Sequence, residues 1–349
     1  MRRIAYRLLE SIQVRAGAMA DPPPESVGNG SNDRLAATMI TTVIVPSYRR
    51  PGPLGRCLRA LAVQAHAPSE VLVVLRDSDA EGRKVAAHFA SNLPVRTVSV
   101  SEGGLVAALN QGLDEARGDV IAVTDDDAAP RSDWLRSIVS YFESDPTVGA
   151  IGGRDVLHHQ QFGKEKRAVV VGRIQWFGRA IGNHHCGTGP AREVDILKGV
   201  NMTFRRRALE GIRFDRRLRG SGAQAHNDMA ISLALKRRGW RLIYDPRLVV
   251  DHYPAERFDE DQRDRFDPGA LSNAVHNETL VLLEYLTGFR RGAFVLWSLL
   301  VGTRSAPGLL QLVRPTVGDP GIRFARFKAA MSGRWQGFRT WKAWSAAGV

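Results

Sequence analysis

Cysteine is nearly missing from this chain: its 349 residues hold two, Cys57 and Cys186. That excludes a disulfide framework and a cysteine-rich zinc centre, and makes a reducing cytoplasm the simplest setting. Long apolar runs are missing as well. Leu280 to Leu286 and Gly292 to Gly302 are apolar, but Arg290 and Arg291 divide them and Arg304 follows. Neither reaches the roughly 18 uninterrupted residues of a spanning helix, so re-entrant or interfacial helices fit better. Residues 1–38 lack the continuous apolar stretch of a signal peptide. There Arg2, Arg3, Arg7 and Arg15 surround Ile4, Leu8, Leu9 and Ile12, and a Pro- and Gly-rich stretch follows. This reads as a weak basic helix and a flexible linker, with surface association open. Acids are also short, 36 Asp and Glu against 49 Lys and Arg, for a net charge of +13. Such an excess calls for an anionic partner, whether nucleic acid, phosphorylated substrate or anionic lipid. With 44% hydrophobic and 24% charged residues the composition is otherwise that of a globular protein of one large or two ordinary domains.

Against this scarcity of acid, three consecutive carboxylates stand out. Asp125, Asp126 and Asp127 follow the apolar run Val120 to Val123, where a buried strand would surface. Adjacent negative charges repel unless solvent or a cation absorbs them, and hard cations such as Mg²⁺ take carboxylate oxygens together with substrate phosphates. Taken alone, the triplet is either a solvated acidic turn or a metal site. The surrounding pattern alternates: strands at Thr42–Val45, Val71–Leu75, Val95–Val100 and Val120–Val123, with helices after Pro53, at Ala80–Phe89 and at Leu105–Ala116. Such alternation predicts a parallel sheet covered on both faces, whose ligands sit beyond the carboxyl ends of the strands. Pro46-Ser47-Tyr48, Arg76 to Asp79 and the acidic triplet all fall at those ends. Farther on, Gly163 to Gly189 has no clean periodicity and reads as irregular. Leu197 to Phe204 reads as a strand, Asp228 to Arg238 as a helix ended by Gly239, and Arg247 to Asp251 as a further strand.

In these residues the chain resembles the inverting glycosyltransferases of family 2, which have the GT-A fold. The resemblance spans roughly Thr41 to Pro254. It rests on Val43 to Pro51, Gln64, Ala107 to Gly112, Ala116 to Asp119, and Val123 to Asp127 followed by Trp134-Leu135. Gly199 to Met202, Asn227-Asp228, and Tyr244-Asp245-Pro246 leading to His252 continue it. It implies an α/β fold with a mostly parallel, Rossmann-like sheet flanked by helices. The domain would cover residues 39–258, with a donor half at 39–155 and an acceptor half at 156–258, and 259–349 would form a C-terminal helical, membrane-associated extension. By the same resemblance, Asp125 and Asp127 match the outer positions of the DxD motif and hold Mg²⁺ or Mn²⁺, while Asp126 faces the ribose or supports the metal ligands. Pro46, Ser47, Tyr48, Arg49, Asp77 and Asn110 would contact the donor nucleotide, with Asp79 as the alternative to Asp77. His252 is either a further metal ligand, suiting Mn²⁺ better than Mg²⁺, or structural. Asp228 is either the catalytic base, contributing roughly 10²- to 10⁴-fold, or a helix-start carboxylate worth about 0.3–1 kcal/mol against the macrodipole. Two positions depart from the family pattern. Asn227 stands where Glu is common, and Leu109 precedes Asn110 where many members have Arg, a contact that Arg49 or Arg50 could replace. His184-His185-Cys186 looks like a metal motif but has no further ligand at a recognised spacing.

From Gly321 onward six Lys or Arg residues and no acid interleave with Phe324, Phe327, Trp335, Phe338, Trp341 and Trp344. Such a segment suits an anionic headgroup layer, single-stranded nucleic acid, or packing back on the catalytic body. The membrane is preferred over nucleic acid, because the neighbouring apolar segments have no use in the latter. The expectation is therefore a metal-dependent inverting transferase at the cytoplasmic face of the plasma membrane, peripherally bound, moving a sugar from a nucleotide donor to a glycan or lipid-linked acceptor. Its rivals are a non-catalytic nucleotide-sugar or anionic-lipid binding protein and a nucleotidyltransferase, the latter distinguished by release of pyrophosphate.

Overall fold

The computed structural model describes residues 39–158, 167–258, 262, 265–313 and 319–346. The basic segment 1–38 and residues 163–166 of the Gly-rich region lie outside the described residues. Strands and helices first alternate as the periodicity predicts: β1 (Thr41–Ser47), α1 (Pro51–Ala62), β2 (Glu70–Arg76), α2 (Ala80–Phe89), β3 (Val95–Val100), α3 (Leu105–Glu115) and β4 (Val120–Val123). Then come β5 (Ala128–Pro130), α4 (Trp134–Ser144), β6 (Val148–Leu157), the short β7 (Arg173–Ile174), β8 (Ala180–Ile181) and β9 (Arg192–Glu193), β10 (Met202–Arg205), α5 (Asn227–Arg237) and β11 (Arg241–His252). The helices α6 (Pro268–Tyr285), α7 (Gly288–Leu300), α8 (Leu310–Val313) and α9 (Pro320–Ala346) follow.

The main sheet runs β3-β2-β1-β4-β10-β6-β11-β5, with β9 on β11. The β3-β2-β1-β4 half is parallel, β10 runs antiparallel between β4 and β6, and β6 and β11 are parallel. Side chains alternate across the strands, so each strand feeds two cores. Val43, Val45, Val71 and Val73 pack with Leu54, Leu58, Trp134 and Phe142 from α1 and α4. Ile44, Leu72 and Val74 face the other way, onto Leu109 and Leu113 of α3 and Leu233 of α5. Each fully buried aliphatic or aromatic side chain contributes about 1.5–3 kcal/mol, which holds the strand ends, and thus the loops, in register.

Two expectations are corrected. Leu197 to Phe204 is not one strand. Residues 198–201 form a turn closed by the Asn201 N–H on the Lys198 carbonyl at 2.9 Å, and β10 starts only at Met202. The turn wins because polar partners hold it: Thr124 Oγ1 donates to the Val200 carbonyl at 2.9 Å, and Asn201 Nδ2 donates to the Leu248 carbonyl at 2.9 Å. Second, the expected strand Arg247 to Asp251 is the end of the longer β11. The register of β11 shifts between Asp245 and Val249, where Pro246 cannot donate to the ladder. Beyond residue 258, Leu280 and Leu283 of α6, Leu286 just after it and Phe294 of α7 share one core with β4 and α5.

The basic, aromatic C-terminal stretch also divides between inside and outside. Gly333 and Gly337 let α9 lie close against α6, since a Cβ there would stand 2.4 Å from the Ser272 oxygen or 2.7 Å from the His276 oxygen. Phe338 and Trp341 pack on the core, and Arg334 is buried. Phe324, Trp335 and Trp344 remain exposed. Much of the segment is thus ordinary helix packing. Among the described residues no helix is long and apolar enough to cross a membrane.

Candidate active site

The parallel pairing of β1 with β4, Ile44 opposite Val123, carries Ser47 and the acidic triplet to the same edge of the sheet. Ser47 Oγ donates to Asp126 Oδ2 at 2.6 Å, and Arg50 Nη2 pairs with Asp126 Oδ1 at 3.0 Å. Arg50 Nη1 reaches Asp127 Oδ2 at 3.5 Å. From the far edge, β11 pairs antiparallel with β5, His252 opposite Ala128. His252 Nε2 thereby lies 3.3 Å from Asp127 Oδ1, and its Nδ1 lies 3.8 Å from Asp155 Oδ2. Lys198 Nζ closes the row on Asp155 Oδ2 at 2.5 Å. The Ala255 N–H donates to Asp127 Oδ2 at 2.9 Å.

These neighbours divide the three carboxylates. Burial, only partly offset by Arg50 and Ser47, pushes Asp126 up to about 7. Burial also works against charge on Asp127, but His252, the Ala255 N–H and Arg50 outweigh it and hold the carboxyl at about 2. Burial opposes protonation of His252 as well, yet Asp127 and Asp155 raise it to about 9. Burial and the charge of Asp127 shift Asp125 upward.

Ligand atoms of Asp125, Asp127 and His252 all lie within 4.8 Å of one another. Both His252 ring nitrogens are buried and face the carboxylates of Asp127 and Asp155 without meeting either in hydrogen-bond geometry. Two carboxylates and one imidazole fit a divalent cation, with Mn²⁺ accepting the nitrogen more readily than Mg²⁺. Among the described residues this is the grouping within metal reach. The turn at His184–Cys186 forms no such cluster; His184 Nε2 instead meets the Ile196 carbonyl at 2.9 Å.

Asp125 and Asp127 open onto a cleft of about 390 Å³ that Pro46, Ser47, Tyr48 and Arg50 also line. Arg76 and Arg257 add positive charge to its wall. Arg49 is not in the lining. It adopts a left-handed backbone with φ of 55°, donates its N–H to Asp79 Oδ2 at 2.6 Å, and lays its guanidinium 5.0 Å from the Tyr48 ring centroid. Asp126 also stays beneath the cleft, fully buried.

Asp77 and Asn110 lie apart from the cleft lining. Asp77 lies outside the cleft, its side chain 61% exposed and 4.0 Å from Arg83, because the strand end turns Arg76 inward instead. Its alternative, Asp79, caps α2 by accepting the Gly82 N–H at 2.9 Å. Asn110 is buried on α3, donating to the Phe214 carbonyl and accepting the Phe214 N–H, both at 2.9 Å. Its amide braces α3 against the backbone of Phe214.

The loop before α5 roofs the cleft through Ser221, Gly222 and Ala223. Gln224 Oε1 accepts the Val106 N–H at 2.9 Å, and the Leu105 N–H reaches the Gly222 carbonyl at 2.8 Å. Asn227 Nδ2 donates to the carbonyls of Ala223 and Gln224 at 3.1 and 3.0 Å. This accounts for the departure at Asn227, since a carboxylate there would face two carbonyl oxygens. Asn227→Glu should loosen this loop and cost about 1–3 kcal/mol as buried acceptors lose their donor. Chemical denaturation and limited proteolysis would register the change, and an unaltered midpoint would refute it. Asp228 lies in the first turn of α5, where Oδ1 accepts the Met229 N–H at 2.8 Å and Oδ2 the Gly199 N–H at 3.3 Å. It lines a second cavity that Lys198 also lines.

Other residues of the recurring pattern turn out to be braces. Gln64 donates to the Arg131 carbonyl at 2.8 Å and accepts the Leu135 N–H at 3.1 Å. Buried Trp134 donates Nε1 to Asn201 Oδ1 at 2.9 Å. Sequence reasoning missed Asp155 and Lys198. The pair Gly152-Gly153 ahead of Asp155 was the available signal, since a Cβ at Gly153 would lie 1.9 Å from the Leu248 oxygen. Only glycine lets β6 approach β11 this closely and deliver Asp155 to His252.

The profile of the family described as "Glycosyltransferase like family 2" matches residues 38–266. The chain is 26% identical to the glucosyl-dolichyl phosphate glucuronosyltransferase of Haloferax volcanii over 225 residues, 61% of this chain and 69% of that protein. It is 32% identical to glycosyltransferase AglE of the same organism over 117 residues, 32% of this chain but only 38% of that one. The fold is similar to that of the Pyrobaculum calidifontis mannosyltransferase PcManGT in complex with GDP-Man and Mn²⁺, with TM-score 0.54 and 20% identity over 86% of this chain and 88% of that one. It is also similar to TarS of S. aureus in complex with UDP-GlcNAc, with TM-score 0.52 and 15% identity over 74% and 71% of the two chains. With the profile spanning well over half its length, the chain belongs to glycosyltransferase family 2 and has the GT-A fold.

Proposed function

We propose that this protein transfers a sugar, with inversion, from a nucleoside diphosphate donor to a hydroxyl of a glycan or lipid-linked acceptor. The observation that carries this reading is the convergence of Asp125, Asp127 and His252, with both carboxylates on a cleft that Arg50, Arg76 and Arg257 also line. Asp228 opens on the neighbouring cavity. Asp125, Asp127 and His252 would hold Mg²⁺ or Mn²⁺, which when bound supplies Lewis-acid neutralisation of the departing diphosphate. Arg50 and Arg76 add charge for the phosphates, and Pro46, Ser47 and Tyr48 form a wall for the nucleoside. Asp228 takes the proton from the attacking acceptor hydroxyl, and the developing nucleophile then displaces the nucleoside diphosphate from the anomeric carbon. The relatives with bound GDP-Man and UDP-GlcNAc make guanosine and uridine donors the first to try. Release of nucleoside diphosphate from such donors with Mn²⁺, lost on chelation, is the expected result. Donor binding without any turnover would favour the non-catalytic reading, and pyrophosphate release a nucleotidyltransferase.

We also propose peripheral binding to an anionic membrane through the α7–α8 end. The Leu309 N–H meets the Leu299 carbonyl at 2.9 Å and the Gly308 N–H meets the Val301 carbonyl at 3.2 Å, which gathers exposed apolar side chains. Phe289 is 78% exposed, Leu296 60% and Leu310 56%. From Leu286 onward ten Lys or Arg residues stand against one acid, Asp319, and this suits an anionic lipid surface. Co-sedimentation with phosphatidylglycerol vesicles should exceed that with phosphatidylcholine and weaken with salt. Leu296→Asp with Leu310→Asp should reduce it at least about tenfold, given about 1.5–3 kcal/mol per buried leucine. Equal binding to both vesicle types would remove the electrostatic part of the proposal.

A further inference from the structure

The second cavity, of about 420 Å³, falls within the range of roughly 300–1,000 Å³ typical of small-molecule sites. One side belongs to the catalytic body, where Asp228 and Lys198 line it. The other side comes from beyond residue 266, where the family match ends: Glu278 on α6, and Thr303 and Ser305 in the turn between α7 and α8. We infer that this cavity binds the terminal sugar ring of the acceptor, and that Glu278, Thr303 and Ser305, supplied by the C-terminal helices, select it. The inference rests on the transferase reading and names the acceptor side of that site.

The chemistry of the wall favours an uncharged polyol. Glu278 is half-buried and lies in the field of Arg334, without a side-chain hydrogen bond or ion pair among the described residues. A partly desolvated carboxylate of this kind gains from hydroxyl donors. Thr303 Oγ1 accepts the Ala306 N–H at 2.9 Å and lies 3.0 Å from Ser305 Oγ, so two hydroxyls are grouped on one short turn. That turn is rigidly held, because buried Arg334 donates to the carbonyls of Ala306 at 2.7 Å and Pro307 at 2.8 Å. His184 must carry its proton on Nε2 to bond the Ile196 carbonyl, which leaves Nδ1 as an acceptor on the same cavity. An anionic ligand fits poorly. Asp228 and Glu278 would repel it, and Lys198 is already engaged with Asp155 at 2.5 Å. Leu197, Leu271 and Val275 complete the wall and offer apolar surface to the C–H face of a ring.

Saturation-transfer NMR on the full chain with diamagnetic Mg²⁺ and a nucleoside diphosphate, UDP or GDP, tests this. The probes are the methyl glycosides of glucose, galactose, mannose and N-acetylglucosamine. At least one glycoside should show transfer on the wild type. That signal should fall at least about fivefold in Glu278→Gln and in Ala274→Phe, which narrows the cavity from α6, while nucleotide signals persist. Two variants of different kind guard against a fold defect, which loss of the nucleotide signal would expose. Glycoside signals that survive both variants, or no glycoside signal beside a bound nucleotide, would overturn the inference and leave the transferase reading standing. Failure of the wild type to bind either nucleotide would instead strike that reading.

Discussion

Asp228→Asn should lower turnover by about 10²-fold or more while donor affinity and folding stability stay close to wild type. The substitution is nearly isosteric. Its carbonyl oxygen can still accept the Met229 N–H, now at 2.8 Å, and only the longer 3.3 Å bond from Gly199 is put at risk. A helix-start carboxylate with no chemical role would lose only about 0.3–1 kcal/mol of macrodipole stabilisation and leave turnover intact. Steady-state release of nucleoside diphosphate, measured beside the denaturation midpoint, separates the two outcomes. Near-normal turnover would remove Asp228 from the mechanism.

Asp127→Asn should be at least as damaging, for a different reason. Its carboxylate faces His252 at 3.3 Å and Arg50 at 3.5 Å and is held at about 2, so these neighbours favour its charged form. Removing that charge should cost several kcal/mol of cation and diphosphate stabilisation, or about 10²- to 10³-fold in turnover, together with Mn²⁺ affinity. Titration of Mn²⁺ followed by its electron paramagnetic resonance signal would show weaker binding in the variant. Asp126→Asn is the matching control. Asp126 bonds Ser47 and Arg50 beneath the cleft rather than lining it, so its loss should disturb local packing while Mn²⁺ binding survives. Equal loss of Mn²⁺ in both variants would mean that the two carboxylates are not divided as the geometry indicates.

The parallel half of the fold was legible because its signals are local. Period-two apolar runs, helix spacing and strand-end polar clusters each reside within a few neighbouring residues, and burial on both faces leaves β1 to β4 little alternative. Thr41–Ser47 and Val120–Val123 could be read in this way. The second half was less readable. The segment from Leu197 to Phe204 is apolar enough for a strand, but Thr124 and Leu248, distant in sequence, hold its first part in a turn. Likewise, no local pattern says that Phe338 and Trp341 pack inward while Trp335 faces solvent.

The sequence by itself determined the family, the alternating sheet and the presence of an acidic cluster at a strand end, because each depends on residues adjacent in the chain. Tertiary structure alone decided the wiring. It separated Asp127 from Asp126, took Asp77 and Asn110 out of the cleft, and joined His252, Asp155 and Lys198 into one row of alternating charge. It also brought Glu278 and Ser305 to the cavity of Asp228. A side chain's charge state and partners are set by burial and by neighbours far along the chain, and those are known only once the sheet edge and the C-terminal helices have met.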